Sequence, residues 1–330
     1  MNQSYYLFSN GELKRKDNSP LLLKEDGSKS NIPIERVRDL YVFSEMTFNV
    51  SLLNLLGKYG INVHFFNYYE YYIGSFSPKE SMLSGALLVQ QVEYYRDSQK
   101  RLYLAKEFIK SAAHNIRRNL KYYQNRGKYL ADEIQCIDEL RERLDDCRTV
   151  EEVMGIEGNI RKVYYRAWNE VINVKIDFHT RVKRPPDNMV NSLISFLNSL
   201  LYAKVVSEVY KTQLNPTISY LHVPGEKRYS LSLDVSEVFK PILVDRLIFS
   251  LLNKKVITES DFVRESDFLK LKESALKRVV KEFEEVLKRT IHHRELRREV
   301  SYQYLIRLEL YKLIKHLINE KTYKGFEIWW

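Results

Sequence analysis

The stretch GSFSPKESMLSGALLVQQVEYYRDSQKRLYLAKEFIKSAAHNIRRNL, residues 74–120, divides the chain into two kinds of sequence. Its opening part, Gly74 to Gly85, has the composition of a linker. From Ala86 the apolar residues recur at helical spacing, over a run long enough for one long helix or a helix pair. Six of the eleven glycines lie in residues 1–85 and five in the remaining 245. Turns therefore crowd the first part and thin out in the second.

Upstream, short β-prone runs alternate with turn chemistry. Tyr5–Phe8 leads to Asn10-Gly11, a hairpin signal, and then to Glu12–Lys16. Leu21–Glu25 leads to Asp26-Gly27, and Val37–Phe43 reads as another strand. Asn49 is placed to cap a short helix, VSLLNLLGKYG, ahead of INVHFF and the hairpin-like NYYEYYIGSF. The expected fold class is α+β. A small N-terminal β-domain, sandwich-like with one helix, spans 1–73, and a linker spans 74–85. A larger all-α domain spans 86–330.

The chain carries a formal net charge of +10 and a pI of 9.2, a balance that suits a polyanionic partner. Cys136 and Cys147 lie among charged residues without CxxC spacing, which argues against a disulfide scaffold or zinc ribbon. No basic stretch leads into an apolar one at the N-terminus. The apolar run Met189–Val206 is interrupted by Asn191, Ser195, Asn198 and Lys204. The expectation is a cytoplasmic protein with no membrane span.

Three groups of residues are candidates for chemistry. In TVEEVMGIEGNIRKVYYRAWNEVI, a helix capped near Thr149 puts Met154, Glu157, Arg161, Tyr164 and Trp168 on one face. Val153, Ile156, Ile160 and Val163 occupy the other. Glu157 is either an intrahelical ion pair with Arg161 or a metal ligand in a cleft floor. Gly155 and Gly158 bracket it, and a helical glycine invites close approach of a backbone or a phosphate. In SYLHVPGEKRYSLSLDVSEVF, residues 219–239, His222 precedes Asp234 and Glu237 on the expected first turn of a helix. The carboxylates are either ordinary N-terminal charge placement or, with the imidazole, donors suited to Mn²⁺ or Mg²⁺ rather than zinc. Between these segments Arg184-Pro185-Pro186-Asp187 enters a long helix with Asp187 as the expected cap. Its polar stripe of Asn191, Ser195, Asn198 and Tyr202 serves helix–helix hydrogen bonding or supports a metal site from beneath. His64 alternates within a β-run, while His114, His179 and His316 lie isolated among helical or connector residues. His292-His293 lies in KRTIHHRELRR, a basic face able to touch phosphates.

Four ordered segments resemble one family: MGIEGNIRKVYY, KRPPDNMVNSLISFLNSLLY, the YLH of residues 220–222, and SLSLDVSEVFKPILVDR. YYLFSNGELKRK and INVHFF extend the likeness over nearly the whole chain. The family is the CRISPR-associated endonuclease that acts as the integrase of spacer acquisition, the "Cas-one" family, and the pattern is most similar to its subtype I-B variant. The resemblance implies a divalent-metal site from Glu157, His222 and Glu237, holding Mn²⁺ or Mg²⁺, with Asp234 as an auxiliary acidic residue. It also implies a homodimer formed largely through the β-domain, and a small ferredoxin-like partner protein. The implied substrate is double-stranded DNA, comprising the prespacer and the CRISPR repeat. The implied reaction is 3′-OH transesterification into a CRISPR array, or hydrolysis when water attacks. The reading set against it is a non-catalytic basic nucleic-acid-binding scaffold whose acidic residues serve only in ion pairs.

Overall fold

The computed structural model describes residues 3–79, 82–176, 178, 180–182, 185–226, 228–265 and 268–329; His179 and Arg184 lie outside them. The chain divides into two compact units, Met1–Leu83 and Ser84–Trp330. The first consists of strands with one α-helix and a short 3₁₀ turn, Ile34–Arg36, and the second is largely helical.

The first unit has two four-stranded sheets. One has the order β1-β5-β7-β8, from Gln3–Leu7, Val37–Val42, Asn62–Phe66 and Tyr72–Phe76. The other has the order β4-β3-β2-β6, from Lys29–Asn31, Ser19–Lys24, Gly11–Lys16 and Met46–Phe48. Leu13, Leu22, Val37, Leu40 and Val63 from both sheets join Leu52, Leu55 and Leu56 of α1 (Val50–Lys58) in one apolar core. Asn49 caps α1, its side chain accepting from Leu52 N at 2.9 Å, and Gly60 ends it at φ 66°.

Asn10-Gly11 is not a hairpin turn. β1 pairs in parallel with β5, whereas β2 pairs with β3 and β6, so the chain crosses from one sheet to the other at this dipeptide. Glycine is required there for a different reason: at φ 151°, a Cβ would fall 2.0 Å from the Leu23 carbonyl oxygen. The hairpins are β2–β3, turning near Asp17 at φ 54°, β3–β4, turning at Gly27 at φ 80°, and β7–β8, the one expected in NYYEYYIGSF, turning near Glu70 at φ 65°.

In the second unit the run from Ala86 is a helix pair. Asp97 ends α2 (Gly85–Arg96) and caps α3 (Ser98–Gln124), accepting from Gln99 N at 2.9 Å and Lys100 N at 3.0 Å. Strand β8 takes in Gly74–Phe76, and α2 begins at Gly85, so the linker-like composition overlaps ordered structure at both ends. α4 (Ala131–Glu142) and α5 (Val150–Val171) follow, then α6 (Met189–Tyr210). α6 is long and apolar enough to cross a membrane, but 72% of its most apolar window is buried inside the fold, as in a core helix. Its cap is Asn188, accepting from Asn191 N at 2.9 Å, and not Asp187, which accepts from the Asn191 side chain at 2.7 Å.

α7 (Ser230–Phe239) runs through a π-helical turn, Lys240–Asp245, into α8 (Arg246–Asn253). Pro241 has no N–H to donate within a helix, and widened turns of this kind leave carbonyls in need of other donors. Two buried asparagines of α3 supply them: Asn115 donates to Val238 O at 3.1 Å and Asn119 to Pro241 O at 2.8 Å. The unit ends with α9 (Glu273–Lys288) and α10 (Tyr302–Leu317). It is not wholly α-helical, because two hairpins, β9–β10 (Phe262–Glu265, Phe268–Leu271) and β11–β12 (Thr290–His293, Arg298–Ser301), interrupt it.

Candidate active site

α5, the loop before α7, and α7 with its π turn supply the candidate residues. The Thr149 hydroxyl starts α5 by accepting from Glu152 N at 3.2 Å. Both faces of this helix are buried: Val153, Ile156 and Ile160 on one side, Arg161, Tyr164 and Trp168 on the other. Gly155 and Gly158, beside Glu157, face open space, with no atom within 4 Å of an added Cβ.

The two helices meet at Arg161. Its Nε lies 3.3 Å from Glu157 Oε1, its Nη2 donates to Glu237 Oε2 at 2.8 Å, and its Nη1 is 3.7 Å from Asp245 Oδ2. The Glu157–Arg161 ion pair is therefore one arm of a buried cluster spanning both helices. The Lys240 ammonium takes the other Glu237 oxygen. Burial opposes charge on Glu237, but Lys240 and Arg161 outweigh it and hold the carboxyl at about 2. Burial pushes Asp245 the other way, to about 7, with Arg161 and Lys240 only partly offsetting it.

Asp234 and Glu237 lie in the second turn of α7, since the helix begins at Ser230; helix N-terminal charge placement does not account for them. Asp234, fully buried, accepts from the backbone N–H groups of Tyr220 (2.6 Å), Leu221 (3.0 Å) and His222 (2.9 Å). It also meets His222 Nδ1 at 2.8 Å. With Nδ1 engaged, Nε2 is the ring nitrogen left for other partners. Burial disfavours the imidazolium, but the Asp234 hydrogen bond and charge more than compensate, so the His222 pKa is raised.

Three residues of the polar stripe of α6 bond the segments that flank it in the chain. Arg181 donates to Asn191 Oδ1 at 3.0 Å and Ser195 Oγ at 2.7 Å, and Tyr202 accepts from Tyr229 N at 2.9 Å. These bonds fasten the connector before α6 and the entry to α7.

Among the described residues no three His, Cys, Asp or Glu side chains come together closely enough to hold a metal ion as they stand. The donor set still suits a hard divalent cation: two carboxylates, one of them firmly ionised, and an imidazole with one nitrogen already oriented. In this arrangement Arg161 and Lys240 supply the positive charge that such an ion would bring. Arg161, Lys240 and Asp245 were not anticipated as part of the site. The signals available were the i+4 spacing of Arg161 from Glu157 and the i+3 spacing of Lys240 from Glu237.

The profile of the family described as CRISPR associated protein Cas1 matches residues 5–285. The chain belongs to the Cas1 family. It is 58% identical over 330 residues to a CRISPR-associated endonuclease Cas1 of Fusobacterium nucleatum, covering 100% of this chain and 98% of that protein. The structure of a Cas1 protein from Thermotoga maritima superposes with a TM-score of 0.87 at 38% identity, covering 98% of this chain and 100% of that one. A casposase bound to its integration product has the same fold, with a TM-score of 0.87 at 19% identity over 98% of this chain and 93% of that one. The α+β organisation of strands followed by a largely helical region is thus that of Cas1 proteins.

Proposed function

We propose that this Cas1-family chain is a divalent-metal-dependent DNA endonuclease and integrase that inserts prespacer DNA into a CRISPR array. The observation that carries the reading is the meeting of Glu157 and Glu237 on one buried guanidinium, with His222 fixed through Nδ1 by Asp234. The 58% identity to a protein named as an endonuclease supports the activity, and the charge of +10 supports a DNA substrate.

In the joining step a 3′-hydroxyl oxygen of the prespacer attacks a repeat-end phosphorus. A new P–O bond forms as the repeat strand's P–O3′ bond breaks, leaving a 3′-hydroxyl there. One phosphodiester replaces another, so the step needs no oxidant and no energy donor. With water as nucleophile the outcome is hydrolysis. Glu157, Glu237 and His222 Nε2 are the groups that would hold Mn²⁺ or Mg²⁺. Such an ion supplies charge neutralisation at the phosphate and a more acidic nucleophile. Asp234 keeps the His222 ring and its loop in place. Arg161 holds the two glutamates in register across the helices, and Lys240 stands at Glu237 until the site is filled. The open glycine face beside Glu157 leaves room for a DNA backbone. A homodimer built on the β-unit, a small ferredoxin-like partner protein and a cytoplasmic location complete the reading, on the strength of the family.

The test is strand transfer of a labelled prespacer into a repeat-bearing plasmid, with the partner protein and Mn²⁺, with and without chelator. Glu157→Ala and His222→Ala should abolish transfer and leave duplex binding intact. Transfer at the wild-type rate in either variant would leave only the non-catalytic scaffold.

A further inference from the structure

The basic segment KRTIHHRELRREV, residues 288–300, takes no part in the site. It is not a helical face but the hairpin β11–β12, with Ile291 opposite Val300, His292 opposite Glu299 and His293 opposite Arg298. The hairpin is fastened at its base. Val300 is buried, Tyr302 N donates to Arg289 O at 2.9 Å, and the Ser301 hydroxyl caps α10 by accepting from Tyr304 N at 3.2 Å. Its tip is fixed as well, with Arg297 N donating to His293 O at 2.8 Å and Leu296 N to His293 Nδ1 at 3.2 Å.

Its carboxylates are already engaged: Glu295 pairs with Lys321 at 3.1 Å, and Glu299 lies 3.5 Å from His292. Arg289, Arg294, Arg297 and Arg298 have no carboxylate partner among the described residues. Two of them lie on aromatic rings, Arg294 at 4.9 Å from the Trp329 centroid and Arg298 at 5.5 Å from that of Tyr304. A ring beneath a guanidinium restrains it in a plane and leaves its N–H edge free for a phosphate. Leu296 is the one large apolar side chain exposed on the hairpin, too little for an apolar protein interface.

The same rings lead toward the site. Trp329 packs on Phe326 with centroids 5.7 Å apart, and Phe326 stacks on Phe239 at 6.0 Å, on the helix that carries Glu237. These contacts put Arg294 well within one turn of B-form duplex, about 34 Å, of that helix.

We propose that the β11–β12 hairpin is a duplex-DNA contact that grips backbone phosphates through Arg294, Arg297 and Arg298, beside the bond-joining site. The proposal rests on the DNA-joining reading and adds a contact to it. Phosphate contacts of this kind set position and affinity without reading sequence.

The experiment is salt-titrated binding of a labelled duplex to the full chain between about 50 and 200 mM salt. Arg294→Gln/Arg297→Gln/Arg298→Gln should flatten the slope of log K against log salt by about 2 to 3 and weaken binding at least about tenfold. Arg294→Lys/Arg297→Lys/Arg298→Lys keeps the charges and should retain most of the slope. A glutamine variant with wild-type slope and affinity overturns the hairpin contact while leaving the DNA reading intact. A lysine variant that loses the slope as fully as the glutamine one overturns it too, since the loss then follows altered structure rather than charge. A wild-type chain that binds no duplex at low salt overturns both.

Discussion

Asp234 and His222 are joined twice through a single oxygen. Asp234 Oδ1 meets the His222 backbone nitrogen at 2.9 Å and its ring Nδ1 at 2.8 Å, while Oδ2 accepts from Tyr220 and Leu221. One buried carboxylate thus organises the whole loop. In Asp234→Asn one oxygen becomes an NH₂ group facing N–H donors, leaving buried donors unsatisfied. The variant should lose about 3 kcal/mol of stability, read by chemical denaturation. An unchanged midpoint would show that the loop is held by something else.

The same contact dictates a pH dependence. Against the opposing effect of burial, Asp234 raises the His222 pKa above 6.5. A group raised on folding contributes stability that is full below its unfolded pKa and lost as pH rises through the folded value. Ligation by His222 runs the other way, because a metal takes the neutral ring. Strand transfer at subsaturating Mn²⁺ should therefore climb with pH through the raised His222 pKa. A rate already level at about pH 6, below the ordinary histidine pKa, would count against His222 as a ligand.

Lys240 competes with any cation for Glu237. Glu237, depressed to about 2 from 4.5, contributes stability that is present above 4.5 and lost as pH falls toward 2. Lys240→Met should narrow that acid window and free one Glu237 oxygen, with Arg161 still on the other. Mn²⁺ affinity, read by the ion's own magnetic resonance signal, should tighten by up to about tenfold, or ~1.4 kcal/mol. Weaker Mn²⁺ binding would mean that Lys240 helps to build the site rather than standing in for the ion.

Local chemistry made much of this fold legible. Asn49 and Thr149 announce helices because a short polar side chain satisfies an N–H group three residues on, whereas Asp97, which caps α3 in the same way, went unread. Asn10-Gly11 misled because its glycine answers a carbonyl from Leu23, a neighbour that only the sheet brings near. The start of α7 was misplaced because Ser230 opens the helix with no side-chain cap to mark it. Glu157, His222, Asp234 and Glu237 were all named from sequence motifs. The Arg161 bridge was not, because Glu237 lies 76 residues away along the chain. Even the i+4 pair that was visible gave no hint of a second carboxylate on the same guanidinium.

Gly158 separates stability from activity at this site. Glycine within a helix costs about 1 kcal/mol relative to alanine, and beyond its chain neighbours and the backbone of its own helix no protein atom lies within 4 Å of the Cβ that alanine would add. Gly158→Ala should therefore raise the unfolding free energy by about 0.5 to 1 kcal/mol. If a DNA backbone comes close to this face of α5, beside Glu157, the same methyl group stands in its path. Strand transfer should then slow although the protein is more stable, and Mn²⁺ binding should not change. A stabilised variant that transfers at the wild-type rate would move the DNA path off the glycine face, since a methyl group within van der Waals reach of the backbone cannot leave the joining geometry untouched.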